Sequence, residues 1–408
     1  MDKAAVSSLI RSLLDGTTPL APAQQEQVSN THADARKILV LHFQAERLKA
    51  LLSTQPEFFE GRGYILQHGD AGTGFHCDRA AELLLRFVED GGTAEAAVQW
   101  IENLLRTPAA DCLHITSLWG VTVSATIELA NDFSLVPFHE LPESKTKDWI
   151  YECASAVISN PLVPRFFTDT PPAALVKRFS AAPFVTADDG LFRVPKKGIA
   201  DEANEIRLAL SCIGPSAPTV AVIWTQFLNP EIARAMRGFV NLQPVDVVPA
   251  IHHQPTHLTA VDSASIVNAY IKTSGKLRGK LDVALGRLNR AVRQQRMEDQ
   301  VLDIAIALEV LLTDNNPGEH TYKVSLRAGL LDSGTPEKRL RSRAIAGALY
   351  TLRNNVVHGS HVPEKSEFRG KGKRPSHEIV NEALQLVGSL TRCLILRGNL
   401  PDWYTYEL

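Results

Sequence analysis

The pattern of apolar and polar positions divides the 408-residue chain into three regions. In residues 1–133, apolar side chains recur every three to four positions, as in ADARKILVLHFQAERLKALLS (33–53), which is typical of helices with one buried face. The same period appears in CDRAAELLLRFVEDGG (77–92) and TAEAAVQWIENLLR (93–106). We therefore expect a largely helical N-terminal region, interrupted at 61–74 by a glycine-rich loop.

Residues 134–260 have a different character, because eight prolines fall between positions 134 and 200. Proline lacks a backbone donor and stops helices, so we expect short elements here. The β-branched and aromatic residues of PTVAVIWTQFL (218–228) predict a buried strand. VDVVPAI (245–251) predicts a second, weaker one. This middle segment is expected to be Pro-rich and mixed α/β.

In residues 261–408 the helical period returns with few breakers. The pattern predicts two long helices within 264–314, a short helix at 323–332, and longer helices at 336–359 and 377–398. Pro336 is well placed to begin the helix predicted at 336–359. The expected fold class is therefore mainly α, ending in a helical bundle domain.

Composition limits the kinds of protein this chain can be. It is 44% hydrophobic and 22% charged, as expected for a soluble globular protein. No stretch of 18 apolar residues exists, and the N-terminus lacks the apolar core of a secretory signal, so we expect no membrane association. Five cysteines without paired spacing indicate reduced thiols and a cytoplasmic location.

The net charge of −2 conceals an uneven distribution. From residue 261 onward there are 22 Lys and Arg against 16 Asp and Glu, whereas the rest of the chain has 21 against 29. Ordinary surface variation could produce this difference. It also fits a C-terminal region that meets a polyanion.

The segment LRNNVVHGS (352–360) carries the candidate chemistry. A regular helix would place His358 about 140° around the axis from Arg353, so the two would not share a face. Gly359 predicts that the helix ends there, which would allow the His358 side chain to be redirected. Arg353 lies at the edge of an apolar stripe predicted to face the core, formed by Ile345, Leu349, Leu352 and Val356.

Three segments in this order resemble the HEPN domain superfamily, and within it the Apea-like branch: AIALEVLL (305–312), KVSLRAGLLD (323–332) and LYTLRNNVVHG (349–359). The shared features are an acidic residue after Ala-Leu, a short Ser-Leu-Arg helix, and a tyrosine-containing helix that ends in Arg-x4-His-Gly. The resemblance covers roughly residues 262–400. The residues that fall on these features are Glu309, Arg327, Tyr350, Arg353 and His358.

The resemblance implies a helical bundle that forms a homodimer and acts as a metal-independent endoribonuclease without a cofactor. Such domains serve in toxin–antitoxin, CRISPR-linked and other antiviral defence systems. His358 would remove the proton of a ribose 2′-hydroxyl, since imidazole titrates near neutral pH. Arg353 would stabilise charge on the phosphate, and Asn354 would bond the phosphate or orient His358. His361 could assist or replace His358.

Other residues would support this site. Glu309 would pair with Arg353 or with Arg327 if it is buried beside the motif helix, and otherwise it is a surface glutamate. Tyr350 would stack on a base, line the interface, or pack in the core. The charged loop 360–376 would follow an RNA backbone, unless it is simply solvated, through Lys365, Arg369, Lys371, Lys373 and Arg374.

The expected partners are RNA, a second copy of the chain, and a regulatory protein or phage-derived trigger acting on residues 1–260. The alternative is a non-catalytic HEPN module used for dimerisation or for binding a nucleic acid or nucleotide. Two other motifs are set aside. GDAGTG (69–74) lacks the Gly-Lys-Ser/Thr ending of a phosphate loop, and Pro255 interrupts the histidine pair of HHQPTH (252–257).

Overall fold

The structure, a computed structural model, shows a mainly helical protein. About 58% of the described residues are helical, which confirms the predicted mainly α fold class. The described residues are 1–29, 31, 33–58, 62–69, 71–159, 169–188, 198–236, 255–314, 320–368 and 372–407.

Fifteen helices lie in the described part of the chain. They are α1 (Lys3–Leu14), α2 (Pro22–Ser29), α3 (Ala33–Leu52), α4 (Cys77–Glu89), α5 (Ala94–Leu105), α6 (Lys145–Ser159), α7 (Ile199–Leu210), α8 (Pro230–Ala235), α9 (Ala260–Ile271), α10 (Gly275–Arg293), α11 (Met297–Leu312), α12 (His320–Leu331), α13 (Pro336–Val357), α14 (Ser376–Arg397) and α15 (Trp403–Glu407).

Twelve strands occur in the same described ranges. They are β1 (Tyr64–His68), β2 (Ala71–Phe75), β3 (Ala110–Trp119), β4 (Val121–Thr122), β5 (Ile127–Glu128), β6 (Phe133–Pro137), β7 (Ala173–Ala181), β8 (Val185–Ala187), β9 (Thr219–Phe227), β10 (Thr256–His257), β11 (Lys365–Glu367) and β12 (Lys373–Pro375). The largest sheet has the order β5-β6-β7-β3-β9, and a three-stranded sheet has the order β2-β1-β8. β4 pairs with β10 in parallel, and β11 with β12 antiparallel.

The chain folds into two compact units, each discontinuous in sequence. The first comprises Met1–His114, Arg178–Ile199 and Thr225–Val240, and the second comprises Ile115–Lys177, Ala200–Trp224 and Asn241–Leu408. The three consecutive regions expected from the sequence therefore differ from the two units found in the structure. Every helix of the predicted C-terminal bundle that follows residue 275 belongs to the second unit.

The first unit has one apolar core. Leu48 and Leu52 of α3, Leu84 of α4 and Ile101 of α5 are all fully buried in it. α3 and α4 pack together, and α5 packs on both α4 and α1. Burial of one apolar stripe on each helix stabilises this arrangement, as the 3.6-residue period predicted.

The glycine-rich segment of this unit is more ordered than expected. We expected a loop at 61–74, but β1 and β2 form an antiparallel hairpin there, with Tyr64 opposite Phe75 and a turn at Gly69. β8 pairs with the other edge of β1. The prediction was wrong because the glycines do not form a continuous loop: Gly69, at φ +71°, makes the turn of the hairpin, and two of the others lie within β2. The further pairing with β8, more than 100 residues away, leaves no signal in the local composition.

Helix α11 lies at the centre of the C-terminal bundle. It packs against α10, α12, α13 and α14, and its fully buried side chains include Leu308 and Leu311. Two long helices were expected within 264–314, but α9, α10 and α11 make three. Gly275, at φ +59°, lies at the first break, whereas residues 294–296 separate α10 from α11 without a glycine or proline.

Two other expectations concern strands and membranes. The strand predicted at 218–228 is confirmed as β9, whereas the one predicted at 245–251 lies outside the described residues. Among the described helices, α14 alone is long and apolar enough to cross a membrane, but 61% of its apolar window is buried within the fold. Such burial is typical of the core helix of a soluble protein.

Candidate functional site

Helix α13 carries the candidate site, and its sequence defines both its start and its packed face. The Thr335 hydroxyl accepts a hydrogen bond from the Lys338 amide, and Pro336 occupies the first helical turn. The predicted apolar stripe faces the core, with Leu349 and Leu352 fully buried. This packing leaves Arg353, directly after Leu352, at the edge of the buried face.

The end of α13 is a Schellman motif. Gly359 adopts φ +83°, in the left-handed region that favours glycine, and its amide bonds the carbonyl of Val356 at 3.0 Å. The amide of Ser360 bonds the carbonyl of Asn355 at 2.9 Å. These two bonds satisfy terminal carbonyls of the helix and turn the chain away from its axis. The helix end predicted at Gly359 is confirmed.

Arg353 is held loosely, at the boundary between the bundle and solvent. Its guanidinium lies 3.7 Å from a Glu309 carboxylate oxygen and donates a 3.2 Å hydrogen bond to the side chain of Asn354. The Arg353 side chain is 34% exposed, and Asn354 is exposed. The remaining N–H donors of the Arg353 guanidinium can therefore reach an external anion without first breaking a tight ion pair.

His358 is the C-cap residue of α13 and is exposed. Its backbone is at φ −87° and ψ 14°, and its amide bonds the carbonyl of Asn354 at 3.0 Å. Within the described part of the chain, its imidazole makes no hydrogen bond or ion pair with Arg353. The two side chains thus share the helix end without bonding each other.

Glu298 organises the segment after the helix. Its carboxylate lies 3.4 Å from both the Nδ1 atom of His361 and the amide of Val362. Hydrogen bonding by its own backbone amide, and then by Val362 and His361, lowers the pKa of Glu298. Sequence analysis missed this contact because more than 60 residues separate the partners and no spacing rule connects them.

Tyr350 and Glu309 lie beneath Arg353. Tyr350 is buried, and its hydroxyl lies near the carboxylate of Glu309. Burial, and then the nearby Glu309 carboxylate, raise the pKa of Tyr350 well above its usual range. Of the alternatives considered, core packing therefore describes Tyr350, and half-buried Glu309 pairs with Arg353.

Arg327 belongs to a different site. Its guanidinium donates to the carbonyl of Leu312 at 2.8 Å and to the carboxylate of Asp314 at 2.9 Å, and it stacks 4.9 Å from the centre of the Trp403 ring. It is buried, and it stabilises the C-terminus of α11. The suggested pairing of Arg327 with Glu309 is therefore not observed.

The charged loop is partly a β hairpin. β11 pairs with β12, so that Lys365 lies opposite Pro375 and Glu367 opposite Lys373. Arg374 is already engaged, at 2.9 Å from Glu378 and 2.8 Å from Glu382. Lys365 and Lys373 are exposed, whereas two of the predicted RNA contacts lie outside the described residues, Arg369 and Lys371.

Metal-ligand and cysteine chemistry do not converge on this helix end. The described residues contain no group of three or more His, Cys, Asp or Glu side chains arranged to hold a metal ion. All five cysteines are free thiols. Burial raises the pKa of Cys112 to about 12 and of Cys212 to about 12, which leaves both thiols protonated near neutral pH.

Comparison of the chain with protein-family models, curated proteins and solved structures finds no match. The chemistry of the α13 helix end therefore follows from its own residues. It offers a guanidinium, a carboxamide and an imidazole within six residues, all partly or fully exposed, on a helix whose opposite face is fixed in the bundle core.

Proposed function

We propose that this protein is a metal-independent endoribonuclease of the HEPN type, with its active site at the end of α13. One observation carries the proposal: Arg353, Asn354 and His358 lie within six residues at the end of α13, and all three are at least partly exposed. The fold provides a rigid support, since the preceding residue, Leu352, is fully buried. A site on a rigid element can hold reacting groups in a fixed geometry.

The residues suit cleavage that uses the RNA as its own nucleophile. His358 accepts the proton of a ribose 2′-hydroxyl, whose oxygen then attacks the adjacent phosphorus. The bond from phosphorus to the 5′-oxygen breaks, and that oxygen takes a proton from an acid or from water. Arg353 donates to the phosphate oxygens as negative charge develops on them. The products are a 2′,3′-cyclic phosphate and a 5′-hydroxyl.

Asn354 and Glu309 position the arginine. Asn354 accepts one hydrogen bond from the guanidinium, and Glu309 attracts it from the bundle side at 3.7 Å. An arginine restrained on one side loses less side-chain entropy when it binds phosphate. Both contacts leave part of the guanidinium fork free. This arrangement suits a group that must bind and release an anion.

The proposal includes partners and setting. A homodimer would bring two helix ends together, so that His358 of the second copy could serve as the acid. The exposed lysines of the hairpin, Lys365 and Lys373, would contact the RNA backbone without reading sequence. Residues 1–260 would restrain the nuclease or sense a trigger, as in cytoplasmic toxin or antiviral defence proteins.

The proposal is tested by incubating the full-length protein with labelled RNA in EDTA. We expect wild-type protein to produce fragments with 2′,3′-cyclic phosphate ends. Arg353→Ala and His358→Ala should each reduce cleavage by about 100-fold or more. A DNA strand of the same sequence lacks the 2′-hydroxyl and should remain intact.

Arg397→Ala is the matched control, because Arg397 is an exposed arginine at the end of another bundle helix, where it donates a 2.9 Å hydrogen bond to the side chain of Asn399. It should cleave RNA at the wild-type rate. Absence of cleavage by wild-type protein, together with RNA binding that Arg353→Ala weakens, would replace the enzyme by a non-catalytic binding module.

A further inference from the structure

A cavity of about 340 Å³ lies in the second unit, away from the α13 helix end. Its walls come from α9, the end of α12 and the last turns of α14. Ile266, Leu331 and Leu390 provide buried apolar surface, and the exposed Leu396 lies at the mouth. A volume of this size suits a small organic molecule, and apolar walls with a few polar groups are typical of ligand sites.

Several polar donors that line this cavity have no partner among the described residues. Arg392 is half-buried, and it forms no ion pair or hydrogen bond with any part of the chain that the structure describes. The hydroxyls of Ser265, Ser333 and Ser389 also make no hydrogen bond within that part. On the same helix, the hydroxyl of Thr391 bonds the carbonyl of Val387, the usual way for a helical hydroxyl to be satisfied.

The two carboxylates at the cavity are, by contrast, engaged by the protein. Asp332 is buried and accepts hydrogen bonds from the Ser342 hydroxyl at 2.5 Å and the Gly334 amide at 3.1 Å, with the Lys338 ammonium at 3.4 Å. Asp262 is exposed and accepts a 2.9 Å hydrogen bond from Thr259. Asp332 is thus paired with Lys338, and Asp262 lies in the first turn of α9, where the helix dipole offsets its charge. Arg392 has no such compensation from the described residues, so its positive charge is the one left to a ligand.

We propose that this cavity binds a small organic anion, with its phosphate or carboxylate on Arg392 and its apolar body against Ile266, Leu331 and Leu390. A guanidinium offers a planar fork of donors that matches either anionic group. Partial burial strengthens the interaction because the local dielectric is below that of water. The site is independent of the proposed nuclease activity, since none of its residues belongs to the α13 helix end.

Phenyl phosphate is the probe, because it combines an anion with an apolar ring. We expect calorimetry on the full-length protein to show binding with a Kd of about 1 mM or tighter, and Arg392→Gln to weaken it about tenfold or more. Inorganic phosphate, which lacks the ring, and benzyl alcohol, which lacks the charge, should both bind more weakly. Benzoate distinguishes a carboxylate site from a phosphate site.

Two controls make the outcome decisive. Arg397→Gln removes a charge from the same helix outside the cavity and should leave binding unchanged. Asp262→Asn should tighten binding about twofold, because it removes a negative charge from the mouth. Weaker binding in Asp262→Asn would show that Asp262 does not repel the ligand, which would overturn the placement of its anionic group in this cavity.

The location is checked through Cys393, which is one of the residues that line the cavity. Phenyl phosphate should slow alkylation of Cys393, followed by mass spectrometry, without slowing that of Cys153. The proposal fails if wild-type protein binds no phenyl phosphate at about 10 mM. It also fails if Arg392→Gln binds equally well, or if binding leaves Cys393 unprotected.

Discussion

Arginines occupy two contrasting environments in the second unit. At the α10–α11 contact, Asp303 is buried and accepts hydrogen bonds from Arg287 at 2.9 Å and from Arg290 at 2.6 and 2.8 Å. At the α13 helix end, Arg353 reaches Glu309 only at 3.7 Å. Tight, buried pairs keep two helices in register, whereas a loose pair at the surface leaves a charge available for chemistry. The contrast separates charges that stabilise the fold, called structural below, from the charge that we propose acts in catalysis.

The two cations at the C-terminus of α11 are structural charges, because they stabilise the fold. Lys280 donates to the carbonyls of Val310 and Thr313, and Arg327 donates to that of Leu312. Burial, followed by repulsion from Lys276, lowers the pKa of Lys280. Two cations at one helix end complement the helix dipole and satisfy carbonyls that have no partner within the helix. Neither cation has donors to spare for a ligand in the way that Arg353 does.

Asp303→Asn should have the largest effect on stability. The substitution leaves two arginines without their shared carboxylate, and breaking a buried pair of this kind costs about 3 kcal/mol of unfolding free energy. Urea unfolding measures the difference. Asp299→Asn, one turn earlier on α11 and without an ion pair to any residue in the described ranges, should change stability by less than about 1 kcal/mol. Equal effects of the two substitutions would break the distinction between the two classes.

Arg327→Met should cause the second-largest loss of stability. Methionine retains apolar bulk beside Trp403, but the carbonyl of Leu312 and the Asp314 carboxylate lose their donor, so we expect a loss of about 2 kcal/mol. Urea unfolding of the full-length protein is again the measurement. Arg397→Met, at an exposed position, should stay within about 0.5 kcal/mol of wild type. If Arg327→Met left the unfolding free energy unchanged, Arg327 would not be one of the charges that stabilise the fold.

The Asp332 carboxylate should make stability depend on pH. Burial alone would raise the pKa of Asp332, but hydrogen bonds from Ser342 and Gly334 and the charge of Lys338 hold it below its ordinary value. Its contribution is therefore fully present above the unfolded pKa of about 3.9 and is lost as the pH falls through the folded value.

Asp332→Asn should accordingly lower the unfolding free energy at pH 7 by about 1–2 kcal/mol. The gap between this variant and wild type should narrow as the pH falls below about 4. Unfolding curves at pH 7 and at acidic pH measure both quantities. A gap of the same size at both pH values would show that Asp332 does not contribute through its charge.

Gly359→Ala should have the smallest effect on stability among these substitutions. A Cβ at this position would meet no atom within 4 Å, so the cost comes only from the left-handed backbone and is about 1 kcal/mol. Gly279→Ala, on the exposed face of α10 and equally uncrowded, should instead stabilise by about 0.5–1 kcal/mol. If both substitutions stabilised the protein, the Schellman motif would not be needed to end α13.

Local signals predicted α13 well. Thr335 and Pro336 mark its start, Gly359 its end, and the spacing of Leu349 and Leu352 its buried face, because each acts within one or two helical turns. The same reasoning identified β9, whose β-branched residues leave few alternatives. Where structure depends on neighbours in sequence, the pattern was sufficient.

Contacts between residues far apart in the sequence were harder to predict. β8 pairs with the outer edge of the β1–β2 hairpin from a distant part of the chain. The break between α10 and α11 contains no glycine or proline that would predict it. Arg327 pairs with Asp314, just beyond the end of α11, whereas sequence reasoning offered only Glu309. Pairing choices of this kind depend on how helices pack, which the 3.6-residue period does not specify.

The most direct test of the account measures stability and RNA cleavage on the same preparations of Arg353→Ala and Asp303→Asn. We predict that Arg353→Ala changes the unfolding free energy by less than about 1 kcal/mol, as for other partly exposed ion pairs, while it reduces cleavage about 100-fold or more. Arg353→Ala that is as unstable as Asp303→Asn, with its cleavage unchanged, would contradict the account and place Arg353 among the structural charges.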